Sequence, residues 1–316
     1  MTPKSHFTSR VSTAAEWDME SESRTVSMSP PILSDRTFRH FSEYVTAELG
    51  IKMPPSKKTM LQGRLQKRLR ILGLQSFEDY ARYVFGPEGQ ATNESVILLD
   101  LVTTNKTDFF REPRHFDYLI GTAVPELIRA AGAGIRRKLQ VWSAGCSTGA
   151  EPYTLAMVLS DFANTVDGFE FSILATDIST KVLDKARRAV YREYEAEPVP
   201  LEMKKRHLLR SRDRSACLVR VVPGLRDKVQ FRRLNFMDED FGIEKPVDII
   251  FCRNVIIYFD HQTQERVLSR ICRYLKPGGF LFMGHSETLH GLSLPLVQAT
   301  TAIYRKKPDN PAIRKK

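Results

Sequence analysis

VDIIFCRNVIIYFD at 247–260, together with VWSAGCSTGAEPY at 141–153, decides the expected fold of this chain. Each stretch begins as a short apolar strand and breaks at its carboxyl end into small or polar residues. Between them, FSILATDIS at 171–179 repeats the pattern and ends its strand on Asp177. Strands that alternate with helices in this way form a doubly wound sheet, which binds ligands at the carboxyl ends of its strands. The sequence therefore predicts an α/β domain with a nucleotide-like ligand at that edge.

The turn after the first of these strands indicates which ligand is bound. It reads Ala-Gly-Cys-Ser-Thr-Gly at 144–149, so the middle glycine of the dinucleotide motif G-x-G-x-x-G is missing. Glu151 follows in the first helical turn, where a carboxylate repels a phosphate but pairs with an ammonium group. Asp177 stands where an acid can accept the hydroxyls of an adenosyl ribose. Together these positions favour S-adenosylmethionine over a dinucleotide.

Length and composition indicate a globular protein of about two domains. The chain has 316 residues and a formal net charge of +11, and no run approaches the ~18 apolar residues of a membrane span. Its four cysteines include no C-x-x-C pair, so neither a disulfide framework nor a zinc site is indicated, and we expect no metal. The N-terminus has no apolar segment of signal-peptide length. We therefore expect a cytoplasmic protein.

The sequence KKTMLQGRLQKRLR at 57–70 is a concentrated basic segment. It holds six basic residues and no acid, and its leucines recur at helical spacing, which predicts a basic amphipathic helix. Arg64, Lys67 and Arg68 are expected on the polar face, opposite the leucines. Such a face contacts an acidic partner, binds nucleic acid or is simply solvated. The charge pattern alone leaves these alternatives open.

Composition and turn residues divide the chain into segments. Residues 1–33 are rich in serine, threonine and charge and poor in large apolar residues, which predicts disorder. A small all-helical domain follows, and then the α/β domain, which an insertion with a short alternating run interrupts after its second helix. We expect this insertion to be a small β-subdomain used for recognition. The predicted boundaries are 1–33 for the extension, 34–105 for the helical domain, 106–306 for the α/β domain, 190–228 for the insertion and 307–316 for a basic tail.

Periodicity and turn residues predict the individual elements. Ser34 is the expected N-cap of the first helix, and Gly50 ends that helix. Further helices are expected at 59–72, 76–85, 94–102, 116–131 and 181–189. Strands are expected at 139–144, 171–176, 229–234, 247–252, 279–284 and 300–305.

With these motifs in view, residues 34–306 resemble the chemotaxis receptor methyltransferases of the CheR family. The resemblance implies a helical N-terminal domain and an S-adenosylmethionine-dependent methyltransferase domain with an inserted β-subdomain. It also implies methyl transfer to glutamate side chains in the cytoplasmic helical domain of chemotaxis receptors, with S-adenosylhomocysteine as the product. The patterns that carry it are LVTTNKTDFFREPRHF at 101–116, WSAGCSTGAEPY at 142–153, ATDIS at 175–179, FCRNVIIYFD at 251–260 and HSE at 285–287.

The resemblance also implies roles for individual residues. Arg111 suits a carboxylate of the substrate or of the cofactor, because a guanidinium binds either with two hydrogen bonds. Tyr258 is expected to orient the acceptor, so Arg111 and Tyr258 are the expected catalytic residues. We expect His285 and Glu287 to be structural. Substrate contacts are expected from Arg64, Lys67 and Arg68, and cofactor contacts from Asn105, Thr107, Arg111, Glu151, Asp177, Asn235, Phe236, Asn254 and Val255.

The sequence departs from the family's pattern in two places. Ala150 stands where many relatives have a second acid beside Glu151, which predicts somewhat weaker affinity for the methionine end of the cofactor. The insertion segment LLRSRDRSACLVRV at 208–221 lacks the short G-x-G loop of relatives that bind a receptor's C-terminal pentapeptide. We therefore expect receptor recognition that does not depend on this pentapeptide.

The expected chemistry agrees with a carboxylate acceptor. A glutamate is ionised at neutral pH, so its methylation requires alignment and exclusion of water but no general base. The N-P-P-Y tract of enzymes that methylate amino groups of bases is replaced by Asn-Val-Ile-Ile-Tyr at 254–258, and Cys252 lies in an apolar strand, where it is expected to pack. Two alternatives remain: a nucleic-acid methyltransferase, suggested by the charge alone, and a regulatory module that binds S-adenosylmethionine without turnover. We expect no nucleic-acid partner.

Overall fold

Helices alone form the N-terminal part of the computed structural model, which describes residues 31–308. They are α1 (Asp35–Leu49), α2 (Lys58–Leu72), α3 (Phe77–Phe85), α4 (Pro87–Ala91) and α5 (Glu94–Val102). Ser34 caps α1 by accepting a hydrogen bond from the amide of Thr37, and Gly50 ends the helix with a φ of 68°. Within residues 31–308, no helix is long and apolar enough to cross a membrane.

The helices bury their apolar stripes in a shared core. Leu61, Leu65 and Leu69 of α2 are at most 2% exposed, so the leucine spacing correctly predicts the buried face of this helix. The opposite face of α2 is polar and mostly basic.

Leu33, just before α1, also belongs to this core. It is fully buried, and its amide donates a hydrogen bond to Gln62 Oε1 at 3.0 Å. The prediction that residue 33 is part of a disordered extension is therefore wrong for this residue, because it packs beneath α2. The predicted extension up to residue 30 and the basic tail from residue 309 lie outside the described residues.

Beyond the helical domain, strands and helices alternate. The helices are α6 (Arg114–Tyr118), α7 (Val124–Ala131), α8 (Ala150–Ala163), α9 (Thr180–Arg188), α10 (Leu201–His207), α11 (Pro223–Arg226) and α12 (His261–Arg273), with a π-helical turn at Leu119–Ala123 between α6 and α7. The strands are β1 (Leu139–Ala144), β2 (Phe171–Asp177), β3 (Val190–Arg192), β4 (Leu208–Arg210), β5 (Leu218–Val221), β6 (Val229–Arg233), β7 (Val247–Cys252), β8 (Leu275–Met283), β9 (Leu296–Thr300) and β10 (Ile303–Lys306).

The main sheet has the order β6-β2-β1-β7-β8-β10-β9. The five strands from β6 to β8 run parallel, and β10 is antiparallel to both of its neighbours. The chain adds strands on one side of β1 and later on the other, so the strand order reverses between β1 and β7. Ligands of open α/β sheets bind at such a reversal, beyond the carboxyl ends of the strands.

The end of the sheet differs from the sequence prediction. One strand is expected at 300–305, but the structure has a hairpin in which β9 ends at Thr300 and β10 begins at Ile303. Ala302 provides the turn with a φ of 59°. Non-glycine residues rarely adopt this conformation, so the sequence Thr-Thr-Ala carries no turn signal and the prediction of a single strand is wrong.

Alternate residues of the central strands are buried on opposite faces of the sheet. Ile249 and Phe251 of β7 share a core with α8, whereas Ile250 and Cys252 share another with α12. Parallel strands covered on both faces are apolar throughout, which explains the continuous apolar run at 247–252. Cys252 is fully buried, in agreement with a packing role.

The insertion between α9 and β6 forms its own small sheet. Its strands have the order β3-β5-β4, and both pairs are antiparallel. The helices α10 and α11 lie in the connections of this segment. The predicted β-subdomain is thus present, between α9 and β6 in the sequence.

The helical domain contacts the carboxyl ends of the strands. Asp100 of α5 accepts hydrogen bonds from the amide and hydroxyl of Thr180 at 3.1 and 2.8 Å and from the amide of Lys181 at 3.2 Å, and so caps α9 from another domain. The side-chain amide of Asn235, after β6, donates to the carbonyl of Glu48 at 2.8 Å. The helical domain therefore covers the edge of the sheet where ligands bind.

We expect Leu33→Ala to lower the free energy of unfolding by about 2–5 kcal/mol, because it removes a fully buried leucine and leaves a cavity under α2. Chemical denaturation measures this change. The matched control is Ile32→Ala, since Ile32 is 77% exposed and its truncation should change stability by less than about 0.5 kcal/mol. Equal effects of the two substitutions would contradict the placement of Leu33 in the core.

Candidate active site

A cavity of about 620 Å³ lies between the helical domain and the carboxyl ends of the strands. This volume is within the range of small-molecule sites. The structure brings every predicted cofactor contact and Tyr258 to its wall, although the sequence separates them by up to about 150 positions. The predicted residues that line the cavity are Asn105, Thr107, Arg111, Glu151, Asp177, Asn235, Phe236, Asn254, Val255 and Tyr258.

Two glycines shape the turn after β1. Gly145 and Gly149 have φ values of 85° and 91°, in the left-handed region that glycine adopts without strain. A Cβ atom at Gly145 would lie 2.5 Å from Val255 Cγ2, and one at Gly149 would lie 2.9 Å from the Tyr191 hydroxyl. The turn therefore has no room for side chains at either position. It leads directly into α8, which places Glu151 at the cavity.

Asp177 ends β2 with its carboxylate already partly occupied. The side chain is buried, and it accepts hydrogen bonds from the amides of Ser147 at 2.8 Å and Ser179 at 3.0 Å. Burial raises the pKa of Asp177, and these backbone donors act in the opposite direction. A carboxylate has about four acceptor positions, so two remain available for the hydroxyls of a ribose.

Arg253 is a site residue that the sequence analysis missed. It follows β7, is 6% exposed, and its guanidinium lies 3.0 Å from Glu112 Oε2 and 3.4 Å from Glu151 Oε2. The guanidinium also stacks over the Phe116 ring, with its carbon 5.7 Å from the ring centroid, and donates to the carbonyl of Arg111. The sequence feature that could have indicated Arg253 is its position as a charged residue directly after an apolar strand.

Two opposing effects act on the pKa of Glu151. Burial raises the pKa of Glu151, whereas Arg253 and the hydroxyl of Ser143, which donates a hydrogen bond at 2.7 Å, favour the ionised form. A bound ammonium group would favour the ionised form further. The carboxylate is thus suited to a cationic ligand.

Glu112 is a second residue that the sequence analysis missed. Burial acts to raise the pKa of Glu112, but Arg253 and the backbone N–H of His285 outweigh it and leave the pKa below its usual value. Glu112 has a φ of 57° and Phe110 has a φ of 53°. Left-handed backbone at residues other than glycine is stored strain that clusters at functional sites. Here it turns the segment 103–113, between α5 and α6, so that Glu112 contacts Arg253 while Arg111 lines the cavity.

Glu112, His115 and His285 form a cluster of the kind that can hold a metal ion. One carboxylate oxygen and one ring nitrogen of each histidine lie within 4.8 Å of one another. His115 is 1% exposed, and neither ring nitrogen has a hydrogen-bond partner among the described residues. Burial lowers the pKa of His115 to about 4, so its imidazole is neutral at physiological pH. The Arg253 guanidinium already neutralises Glu112 and would repel a cation placed there.

Only part of the basic face of α2 is available to a partner, because two of its arginines bind other residues of the chain. Arg64 donates to the backbone carbonyls of residues 101–103, and Arg68 pairs with the fully buried carboxylate of Glu94. Arg64 and Arg68 thus lie on the polar face, as expected, but both side chains contact α5 or the residues that follow it, because α5 packs against that side of α2. Lys67 is exposed, as predicted. Helical periodicity separates polar from apolar faces but does not show which polar residues meet a neighbouring helix.

The doubly wound sheet and the cavity at its carboxyl edge, with Asp177 and Glu151 in the wall, fit a methyltransferase domain that uses S-adenosylmethionine. One family model, described as CheR methyltransferase, SAM binding domain, matches residues 105–303. A second, described as CheR methyltransferase, all-alpha domain, matches residues 36–103. The chain belongs to the CheR methyltransferase family, which confirms the resemblance seen in the sequence.

Relatives of known name match over most of their length. The chemotaxis protein methyltransferase of Borreliella burgdorferi is 38% identical over 259 residues, which cover 81% of this chain and 89% of that protein. The chemotaxis protein methyltransferase of Escherichia coli is 38% identical over 277 residues, 88% of this chain and 93% of that protein. Chemotaxis protein methyltransferase 2 of Pseudomonas aeruginosa is 40% identical over 250 residues, 79% of this chain and 85% of that protein.

We expect Asp177→Ala to weaken S-adenosylmethionine and S-adenosylhomocysteine alike, by about 1.5–3 kcal/mol, because both contain the ribose and a charged hydrogen-bond acceptor is lost. Glu151→Gln should have a smaller effect. Isothermal titration calorimetry measures both. Asp184→Ala, at an exposed position of α9, is the control and should leave both affinities unchanged. An Asp177→Ala variant with wild-type affinity would remove this residue from the cofactor site.

Proposed function

We propose that this protein transfers the methyl group of S-adenosylmethionine to glutamate side chains in the cytoplasmic helical domain of chemotaxis receptors, giving glutamate methyl esters and S-adenosylhomocysteine. The position of Arg111 carries the proposal. Its guanidinium lines the cavity, and among residues 31–308 its contact is a long one, 3.4 Å to the carbonyl of Lys106. A guanidinium that pairs with no carboxylate among the described residues 31–308 suits the carboxylate of a ligand.

Two carboxylates of the cavity wall, Asp177 and Glu151, suit the cofactor. Asp177 has acceptor positions left for ribose hydroxyls, and Glu151 suits the ammonium of the methionine moiety. When bound, S-adenosylmethionine supplies an electrophilic methyl group on a sulfonium. Because an ammonium is cationic, Glu151 in the first turn of α8 favours this ligand over one that places a phosphate there.

Methyl transfer to a glutamate carboxylate requires no proton transfer. A glutamate is ionised at neutral pH, so one of its oxygens supplies the electron pair for the new O–C bond while the S–C electron pair stays on sulfur. The chain must therefore orient the acceptor and exclude water. Tyr258 is suited to orienting the acceptor. Burial raises the pKa of Tyr258, with Arg111 acting in the opposite direction, so the hydroxyl is protonated at neutral pH and able to donate a hydrogen bond to a carboxylate.

The surface beside the cavity suits an acidic partner. Lys57 is exposed and also lines the cavity, and α2 begins at the next residue. Lys67 is exposed two and a half turns further along this helix. A receptor helix with acidic residues can therefore follow α2 while one glutamate enters the cavity. Substrate contact stays proposed for Lys67 and, through the positive field of the helix, for Arg64 and Arg68.

The insertion supports recognition without the receptor's C-terminal pentapeptide. Asp213 closes the loop between β4 and β5 by accepting hydrogen bonds from the amide and hydroxyl of Ser215 at 2.9 and 2.6 Å. A short helical turn, Arg214–Ala216, follows. A side-chain cap thus shapes this loop instead of a pair of glycines, and we infer that it does not form the peptide-docking loop of other family members.

The direct test incubates the protein with labelled S-adenosylmethionine and receptor-containing membranes. We expect alkali-labile label on receptors, because methyl esters hydrolyse in base, and equal label on receptors that lack their C-terminal tail. Arg111→Ala should abolish labelling. Arg114→Ala, which removes an exposed arginine three residues away, is the control and should not. Alkali-stable label would show methylation of nitrogen, and absence of label would contradict the proposed reaction.

Lys67→Glu should lower the rate of receptor methylation while leaving affinity for S-adenosylhomocysteine unchanged, because the reversed charge repels an acidic partner far from the cofactor. Lys245→Glu makes the same charge change at the amino end of β7 and should have little effect. Initial rates at low and moderate salt separate the two cases, since screening weakens the interaction at higher ionic strength. Equal methylation rates for both variants at low salt would contradict receptor contact by α2 and would indicate that its basic face is only solvated.

A further inference from the structure

One buried carboxylate holds the turn that follows β7. Glu287 is 6% exposed, and its two oxygens accept four backbone hydrogen bonds. Oε2 accepts from the amides of Gly284 and Asn254, both at 2.7 Å, and Oε1 from those of Val255 at 2.8 Å and Ile256 at 2.9 Å. Three successive amides of one turn thus point at one side chain from a different part of the chain.

This arrangement satisfies amides that the sheet does not. Residues 254–256 leave the ladder of β7, so their N–H groups have no acceptor in the sheet, and an N–H group removed from water without an acceptor is destabilising. Asn254 also has a φ of 58°. Successive N–H groups around a left-handed residue form a concave nest for an anion. Glu287 supplies that anion from within the chain.

The turn and the loop that carries Glu287 fit together closely. A Cβ atom at Gly284 would lie 2.6 Å from Asn254 Nδ2 and 2.9 Å from Glu287 Oε2. On its other side, the loop donates the amide of His285 to Glu112 Oε1 at 3.2 Å. The loop at 284–287 therefore links the turn at 254–256 to the pair formed by Glu112 and Arg253.

We propose that Glu287 is a positioning residue of the cofactor site: it lies outside the cavity wall, and it fixes the backbone that places Asn254 and Val255 in that wall. The proposal rests on the assignment of the cavity to S-adenosylmethionine under the proposed function. Ionised Glu287 is the form that accepts all four hydrogen bonds. Burial raises the pKa of this carboxyl, and the four N–H groups oppose that effect. Its role in the protein then goes beyond stabilising the fold.

The test is Glu287→Gln in the full chain, which keeps the size of the side chain but replaces one acceptor oxygen by a donor. We expect the dissociation constant for S-adenosylhomocysteine, measured by calorimetry, to rise at least about tenfold, because the turn loses its charged acceptor. Hydrogen exchange at the amides of residues 254–256 should accelerate in the same variant. Glu287→Asp, which keeps the charge on a shorter side chain, should lie between the wild type and Glu287→Gln in both measurements.

Asp248→Asn is the matched control for general destabilisation. Asp248 is also a buried carboxylate, 1% exposed, at the start of the same strand β7, where Arg137, Lys276 and the amide of Gln140 hold it. We expect this variant to lower the melting temperature but to leave affinity for S-adenosylhomocysteine within about twofold. If Glu287→Gln does not fold, Glu287→Asp carries the comparison with the same control.

Two results would overturn the proposal. One is an affinity loss in the Glu287 variant no larger than that in Asp248→Asn, and the other is unchanged exchange at residues 254–256. The proposed function fails separately, if the wild type binds S-adenosylhomocysteine and transfers no methyl group to receptors. A wild type that does not bind S-adenosylhomocysteine would overturn both.

Discussion

The buried guanidinium of Arg253 is the constraint on which the rest of the site depends. A buried cation is costly unless it is paired and hydrogen-bonded, and Arg253 meets this condition through Glu112, Glu151 and the carbonyl of Arg111. These partners belong to the segment 103–113 between α5 and α6 and to α8, whereas Arg253 directly follows β7. None of the three segments can adopt its structure alone without leaving a buried charge uncompensated. The cavity wall is therefore assembled as one electrostatic unit.

The distribution of charge around this unit explains the choice of ligand. Glu151 and Asp177 line the cavity, while Glu112 and Glu287 stand behind its wall and are satisfied by Arg253 and by backbone amides. The chain thus neutralises the carboxylates that build the wall and leaves acceptor capacity on those that face the cavity. The wall also carries Lys52, Lys57, Lys106 and Arg253, so the preference for a cation over a phosphate applies to the part of the wall next to Glu151. The cation Arg111 lines the same cavity, so a single space can hold both a positively charged donor and a carboxylate acceptor.

Carboxylates next to a strand end or a glycine turn could be predicted from the sequence, and side chains whose role depends on tertiary contacts could not. Asp177 and Glu151 follow apolar strands and a glycine turn, so the rules of the open sheet place them at the ligand edge. Arg253 and Glu112 were missed because their role depends on mutual burial, which local sequence does not encode. The same holds for Arg64 and Arg68, since the position of α5 relative to α2 is a tertiary feature. Local patterns also failed to predict the burial of Leu33 and the hairpin of β9 and β10, because both depend on tertiary contacts.

The cap that Asp100 provides for α9 also bears on how such a protein can change in evolution. The matches of the two family models meet near residue 104, so the helical and methyltransferase parts look like exchangeable modules. Besides its own N-cap, Ser179, α9 takes a second N-terminal acceptor from α5, and an unrelated helical domain would leave the amides of Thr180 and Lys181 without this protein acceptor. Recombination at the boundary would then require a matching acid at position 100. The two domains are joined by a shared helix end as well as by a peptide bond, and they are expected to be inherited together.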